Sequence, residues 1–384
     1  MKNFLNRIIR PVVLIIAILI GLTYVFDYDY LFRGIRKTYL RGEGTATIND
    51  EKLFETNIIS AGNANPWRRD SLYNKKKLPQ ALQKNLEETN TASFLIVKNG
   101  KLLYEEYSDG YSAATKTNSF SMAKAMTVLL LGKAEEEEAV KSIHQKYSNF
   151  YENYGNVEYG KFLTLYDLAA MESGLNWEEN YRNPFTPNAK LYYGSSLAEA
   201  SFLKSFTEKP GTSFQYQSGT TQLLGFAVRK AVNMPLANYL SQKFWQPMGM
   251  ESAASWGTDD YQMEKAYCCV YGISRDFAKF GQLFLDNGMA NGKQIINAEF
   301  IEKMRTPTKL SRGTYGLGLW INNDVAAKHY FMLGLQGQYV IVVPEHKLVI
   351  VRTGSYMNQP KNDRGRPDQV KFIVDQVVNG YVTK

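Results

Sequence analysis

Ser121 and Lys124 stand three residues apart where a polar lead, Ser119-Phe120-Ser121, gives way to an apolar run, Met122-Ala123-Lys124-Ala125-Met126-Thr127-Val128-Leu129-Leu130-Leu131. The run predicts a buried helix, and side chains at i and i+3 share a helix face, so the hydroxyl and the amine can touch. A serine hydroxyl is a weak nucleophile at neutral pH and needs a base beside it. A lysine serves as that base when its amine is neutral. Burial against Met122, Ala123 and Met126 is the environment that lowers a lysine pKa. Ser121 is therefore the candidate nucleophile and Lys124 its candidate base. A second copy of the spacing, Ser201-Phe202-Leu203-Lys204, follows Leu197-Ala198-Glu199-Ala200 inside a predicted helix, where the lysine is expected to point to water.

The elements that must position this pair are legible around it. Ala92-Ser93-Phe94-Leu95-Ile96-Val97-Lys98 and Lys101-Leu102-Leu103-Tyr104-Glu105-Glu106-Tyr107 are β-rich runs joined by Asn99-Gly100, a strong hairpin signal. From 135 to about 256 the pattern is helix and loop, with buried helical segments at 165–171 and 222–232 and a turn at Pro210-Gly211-Thr212. Strand character returns at 315–322, 338–343 and 347–353, the last two joined through Pro344-Glu345-His346, and 368–378 has a helical period. Strands from both chain ends around a helical middle predict an α+β fold. Its antiparallel sheet is built from the two ends with flanking helices, and a helical lobe of about 135–265 is inserted.

Composition narrows the classes further. The 384 residues can hold a sizeable core, and 13% aromatic content speaks for a folded chain. The formal charge of +8 suits anionic lipid or polymer, but no basic run is interleaved with stacking aromatics, so nucleic acid is not expected. His144, His329 and His346 are widely spaced and no zinc motif is present, so no metal or other cofactor is expected. The two cysteines, Cys268 and Cys269, are neighbours, and no structural disulfide is expected of them. At the N-terminus, Lys2, Arg7 and Arg10 precede an apolar run at 11–26. It is roughly sixteen residues, between a signal-peptide core and a full span. The preferred reading is an uncleaved signal anchor over 1–30 in a bacterial inner membrane, single-pass, with the long domain carried to the periplasm or cell exterior; a cleaved signal is the alternative. A lead-in over 31–84 follows, then one domain over 85–384.

Ser121-Met122-Ala123-Lys124 after a hairpin resembles the first motif of serine β-lactamase and penicillin-binding-protein-like hydrolases. The likeness is greater to their class C branch, which includes esterases and 6-aminohexanoate-dimer hydrolases. It extends through Leu163-Thr164-Leu165-Tyr166-Asp167-Leu168, Met171-Glu172-Ser173-Gly174-Leu175 and Pro210-Gly211-Thr212-Ser213-Phe214-Gln215-Tyr216-Gln217-Ser218-Gly219. It continues at Ser274-Arg275-Asp276-Phe277-Ala278-Lys279-Phe280-Gly281 and Gly334-Leu335-Gln336-Gly337-Gln338-Tyr339, covering roughly residue 61 to the C-terminus.

The resemblance implies a β-lactamase/transpeptidase-like fold and an acyl-enzyme on Ser121. It singles out Tyr216 as the third catalytic group, although Ser218 stands where the family's Tyr-x-Asn has asparagine. Several other Tyr-x-Asn matches, Tyr147-Ser148-Asn149 among them, fit the letters without the surroundings. A neighbouring ammonium is expected to pull the Tyr216 phenol down, making it a proton shuttle that shares the base role with Lys124. Glu172 is expected to be structural. The third motif is placed at Leu335-Gln336-Gly337-Gln338, with the backbone N–H groups of Ser121 and Gln338 as the oxyanion hole and Ser218, Gln336 and Gly337 contacting substrate. Leu335 replaces the family's cation there, which favours esters or less acidic amides over β-lactams. The expectation is a membrane-anchored serine hydrolase of a small-molecule or short peptide-like substrate. The alternative is a catalytically altered relative that binds cell-wall fragments or a protein partner.

Overall fold

The computed structural model describes residues 2–108 and 110–382. Positions 1 and 383–384, at the outer ends of the expected anchor and hydrolase segments, lie outside the described residues. Asn99 and Gly100 both take left-handed backbone, φ 50° and 71°. Two successive left-handed residues are what a tight two-residue hairpin requires, and asparagine and glycine accept them most easily. Strands in chain order are β1 (Thr56–Ile59), the hairpin β2 (Thr91–Lys98) and β3 (Lys101–Tyr107), β4 (Lys116–Asn118), β5 (Ala254–Gly257) and β6 (Val270–Ile273). A short pair, β7 (Met289–Ala290) and β8 (Lys293–Gln294), precedes β9 (Trp320–Asn322), β10 (His329–Gly334), β11 (Gln338–Val343) and β12 (Leu348–Gly354).

The main sheet runs β3-β2-β12-β11-β10-β9, antiparallel throughout, and so joins the two ends of the chain, as strands at both ends around a helical middle predict. Its central strands are apolar on both faces, because both faces are covered. Leu95, Val97, Val349 and Val351 face one core, whereas Phe94, Ile96, Ile350 and Ile341 face another with Leu82, Leu86, Val370 and Ile373. A Cβ on Gly281 would lie 2.4 Å from Val349 Cγ1, so that glycine lets its helix sit directly on the first face. The smaller sheet runs β1-β5-β6-β4.

The helices are α1 (Lys2–Val25), α2 (Tyr30–Lys37), α3 (Gln80–Glu88), α4 (Ala123–Glu136), α5 (Leu165–Ala169) and α6 (Pro187–Tyr193), followed by α7 (Leu197–Ser201), α8 (Ser218–Val232), α9 (Leu236–Leu240), α10 (Ser274–Leu285), α11 (Ala298–Arg305) and α12 (Asp368–Gln376). α4 is buried on nearly every side, which its unbroken apolar run anticipates. α2 packs on α6, with Arg33 donating to Asp260 at 3.0 Å and the Tyr30 hydroxyl donating to Pro184 O at 3.0 Å. Among the described residues no single helix is long and apolar enough to cross a membrane. Ile9–Val25 and Tyr30–Arg41 meet that condition only together, bent by 109°.

The cysteines correct the expectation. Cys268 and Cys269 form a disulfide with each other, buried at the start of β6. Cys269 takes a left-handed backbone, φ 71°, and its carbonyl accepts from Gly257 N at 2.8 Å while Cys268 O accepts from Trp256 Nε1 at 2.9 Å. The expectation treated adjacency as prohibitive; the structure accommodates it by turning the chain between the two residues.

Candidate active site

Ser121 sits in a 3-10 turn, Phe120–Met122, between β4 and α4. Phe120 takes φ 42°, a left-handed conformation that a bulky side chain adopts only when its surroundings hold it there. Those surroundings are explicit. Phe120 N donates to Asn118 Oδ1 at 2.8 Å, Ser119 N donates to Val270 O at 2.8 Å, and Val270 N donates to Ser119 Oγ at 3.1 Å. The smaller sheet thus grips the chain on the approach to the nucleophile.

One turn on, Lys124 is 1% exposed. Its Nζ lies 2.9 Å from Ser121 Oγ, 3.2 Å from Ser218 Oγ and 3.2 Å from Tyr267 O. Burial lowers its pKa to about 8, against a smaller upward pull from Glu179. The proton inventory of these contacts is informative. A carbonyl only accepts, so Tyr267 O takes one N–H. The Ser218 hydroxyl is already spent as a donor on Glu179 Oε1 at 2.6 Å, so it takes a second. A neutral amine has no third hydrogen, which leaves its lone pair for the proton of Ser121. The ammonium form would donate to all three oxygens instead.

Tyr216 reaches the same place from the chain before α8. Its ring centroid is 4.9 Å from Lys124 Nζ, 5.2 Å from the Trp320 ring and 6.0 Å from the Tyr315 ring. Burial pushes its phenol above the usual range, while hydrogen bonding with Ser121 works the other way. This differs from the expected depression by an ammonium. The lysine lies over the face of the ring, and the phenol is held in its protonated form. Ser218 opens α8, and a Cβ on the following Gly219 would lie 2.4 Å from Trp177 Cε3, so that close packing fixes how the helix begins.

Glu179 was not singled out by any motif. Its carboxylate accepts from Ser218 N at 2.8 Å and Trp177 Nε1 at 3.0 Å, and from the Tyr181 hydroxyl. It stands in an irregular stretch beside another acid, Glu178, and only the fold shows which of the two turns inward. The other lookalikes stay apart. The Ser201 hydroxyl donates to Leu197 O at 2.6 Å inside its own helix, and the carbonyl of the buried Glu172 accepts from Gly211 N at 2.8 Å in a turn. His144 stacks on Tyr166, and His329 is buried with Nδ1 2.7 Å from Ala327 O, where burial lowers its pKa to about 4.

The expected third motif divides. Gln336 is buried at φ 62° with its amide donating to Ala46 O at 2.6 Å. A Cβ on Gly337 would lie 2.1 Å from Arg352 Nη1, so this glycine makes room for the buried arginine. The Gln338 amide donates to Gly354 O at 2.7 Å and its oxygen accepts from Gly354 N at 3.0 Å. The close approach to the segment that carries Ser121 is at Gly334, where a Cβ would lie 2.3 Å from Ser119 O.

Ser121 lines two cavities. A wide one of about 1350 Å³ also takes in Glu179, Arg182, Tyr216, Trp320, Gly334 and Gln336. A smaller one of about 360 Å³ takes in Phe120, Tyr192, Ser218, Tyr267 and Cys268. Leu335 lines both.

A serine that faces a cavity over a buried lysine, under the end of an antiparallel strand and with a helical lobe on the other side, defines a class of serine hydrolase. The chain belongs to the β-lactamase family, whose model matches residues 79–375, and it is an enzyme of that serine-hydrolase kind. It is 22% identical over 302 residues to the 6-aminohexanoate-dimer hydrolase of Paenarthrobacter ureafaciens, covering 73% of this chain and 76% of that one. Among solved structures, a Bacillus anthracis protein provisionally assigned as a 6-aminohexanoate-dimer hydrolase superposes with a TM-score of 0.76 at 24% identity, covering 88% of this chain and 94% of that one. A D-stereospecific amidohydrolase from Streptomyces superposes with a TM-score of 0.60 at 14% identity, covering 78% and 98%.

Proposed function

We propose that this chain is a membrane-attached, extracytoplasmic hydrolase that cleaves an ester or amide through an acyl-enzyme on Ser121. The observation that carries the reading is the lone pair of Lys124, left for the Ser121 hydroxyl once Tyr267 O and Ser218 Oγ have taken the two N–H groups of a neutral amine. Lys124 receives the hydroxyl proton as Ser121 Oγ bonds to the acyl carbon. Tyr216, neutral and beside Ser121, hands a proton to the departing alkoxide or amine; a water molecule then completes hydrolysis by the reverse transfers. The amide of Ser121 and that of Leu335, the first residue beyond β10, form the oxyanion hole. In this reading the second donor is Leu335 rather than the expected Gln338, because Leu335 lines both cavities at Ser121 and Gln338 lines neither.

Attachment through α1 is supported by its apolar run, exposed along its length, and by the basic residues on either side of it. The Cys268–Cys269 disulfide suits an oxidising compartment, which favours the periplasm or cell exterior. A fluorophosphonate probe tests the chemistry. The full-length protein should carry one adduct on Ser121 by peptide mass spectrometry, and Ser121→Ala should carry none. An unmodified Ser121 under conditions that label a control serine hydrolase refutes it.

A further inference from the structure

Resting on that reading, we infer that the apolar cavity is the acyl subsite, and that the substrate is an amphiphile, an acyl ester or amide whose long hydrocarbon chain is taken from a bilayer. The two cavities that meet at Ser121 differ in chemistry. The wide one carries Glu43, Glu178, Glu179, Arg182 and Lys361 on its walls. The smaller one is walled by Leu31, Ile35, Phe120, Phe185, Tyr192 and Tyr193, and Arg182 is its one charged lining residue among the described residues. A pocket of that lining gains free energy by taking hydrocarbon out of water, and a volume of a few hundred Å³ suits a chain rather than a bulky head group.

The catalytic groups are divided to match. Tyr216 borders the polar cavity and not the apolar one, so the group it protonates on departure lies on the polar side. The acyl carbon on Ser121 then carries its chain into the apolar side. In the reaction, Ser121 Oγ forms the bond to the acyl carbon and gives its proton to Lys124, and the bond from that carbon to the head group breaks with a proton from Tyr216. Water next gives a proton to the Tyr216 oxygen as it bonds to the acyl carbon, the bond to Ser121 breaks, Lys124 returns its proton to Ser121 Oγ, and the free fatty acid leaves.

The outer wall of the apolar cavity is α2, the helix that follows α1. Tyr30, Leu31, Gly34, Ile35, Thr38 and Tyr39 all turn into the lining. The surface beside it is unusually apolar for an exposed one. Phe185 is 62% exposed, Tyr28 packs edge-on against it with ring centroids 5.7 Å apart, and Tyr24 stacks on Phe32 at 6.2 Å. Arg36 and Arg41, both exposed, stand on the same segment, the charge that anionic head groups attract. The helix that walls the apolar cavity is thus the one that directly follows the proposed anchor, the side from which a membrane-derived chain is expected to enter.

The test uses the full-length protein in detergent micelles with p-nitrophenyl acetate and p-nitrophenyl dodecanoate. Each fully buried methylene is worth up to about fourfold in kcat/KM, so the dodecanoate should exceed the acetate by on the order of a hundredfold even if only part of the chain is buried. Ala189→Trp and Ile35→Trp, which add bulk at the wall and at the mouth, should cut that ratio at least about tenfold. A flat or falling chain-length profile in parent protein that still labels with fluorophosphonate on Ser121 overturns the lipid reading and leaves the hydrolase reading standing. A steep profile that neither variant changes overturns the assignment to this cavity. Absence of labelling in the parent sinks the hydrolase reading itself.

Discussion

Glu179 holds a proton on the base that the reaction needs free, and removing its charge should shift the pH dependence in a direction no purely structural role explains. With Lys124 near a pKa of about 8, roughly a tenth of the amine is neutral at pH 7, so kcat/KM should rise with pH through about 8 and level off above it. Glu179 Oε1 is 2.6 Å from Ser218 Oγ, which is 3.2 Å from Lys124 Nζ. At about 6 Å and an effective dielectric near 20, the attraction is about 3 kcal/mol, equivalent to about two pH units in the lysine midpoint. Because Glu179 borders the wide cavity, water screens part of this, and about one unit is the expected effect. Glu179→Gln keeps an oxygen for the Ser218 hydroxyl and removes the charge. Its kcat/KM profile for a p-nitrophenyl ester, measured from pH 5 to 10 against the parent, should have its midpoint displaced toward acid. A midpoint that stays near 8 or moves alkaline refutes the view that Lys124 is the titrating base and Glu179 its electrostatic partner.

Tyr216→Phe should lower kcat by on the order of a hundredfold to ten-thousandfold with little change in melting temperature, since it removes a proton carrier and retains the ring against Trp320 and Tyr315. Lys124→Met should abolish turnover and stabilise the fold by up to about 3 kcal/mol at pH 7. The folded lysine has a pKa lowered from 10.5 to about 8, so below that the buried ammonium costs stability; the cost fades as pH rises from 8 toward 10.5, and urea titrations at pH 7 and pH 10.5 should show the advantage shrinking. An unchanged or reduced stability at pH 7 contradicts that sign. Alkylation of the denatured protein should reach neither Cys268 nor Cys269 before reduction and both after it, read by intact mass.

The outline of the fold was legible because its signals are local or periodic. The hairpin needed only Asn99-Gly100, and the central strands announced themselves as uninterrupted apolar runs because both of their faces are covered. The expected strand at 338–343 matches β11 residue for residue. The expected run at 315–322 shortens to β9 at Trp320–Asn322, since the chain bends at Leu317-Gly318 and brings the buried Tyr315 back against Trp320 in an isolated bridge, which the apolar pattern cannot tell from one continuous strand. Residues 56–59, within the segment expected as a lead-in, form β1 and pair with β5 across nearly two hundred positions, and nothing in so short a run could point to that partner.

At the site, what was legible is the part that chemistry confines to one helical turn. Ser121 and Lys124 meet because i and i+3 must meet. The third motif was harder because the chain offers two consecutive tripeptides that end in glycine, Met332-Leu333-Gly334 and Leu335-Gln336-Gly337, and the letters do not choose between them. The structure does so through what each glycine's missing side chain leaves room for: Ser119 O at Gly334, and Arg352 at Gly337. Arg352 explains why the second glycine resembles a substrate-facing one. Buried on β12, it donates to Gly337 O at 2.6 Å, Thr89 O at 2.6 Å and Thr91 Oγ1 at 3.0 Å, and so ties the bend after β10 to the start of β2. A glycine that admits an arginine and a glycine that admits a neighbouring carbonyl are the same letter. What separates them is the neighbour each one faces: Arg352 anchors the bend after β10 through Gly337, and at the end of β10 the missing side chain of Gly334 lets the strand lie against Ser119 O, two residues before the proposed nucleophile.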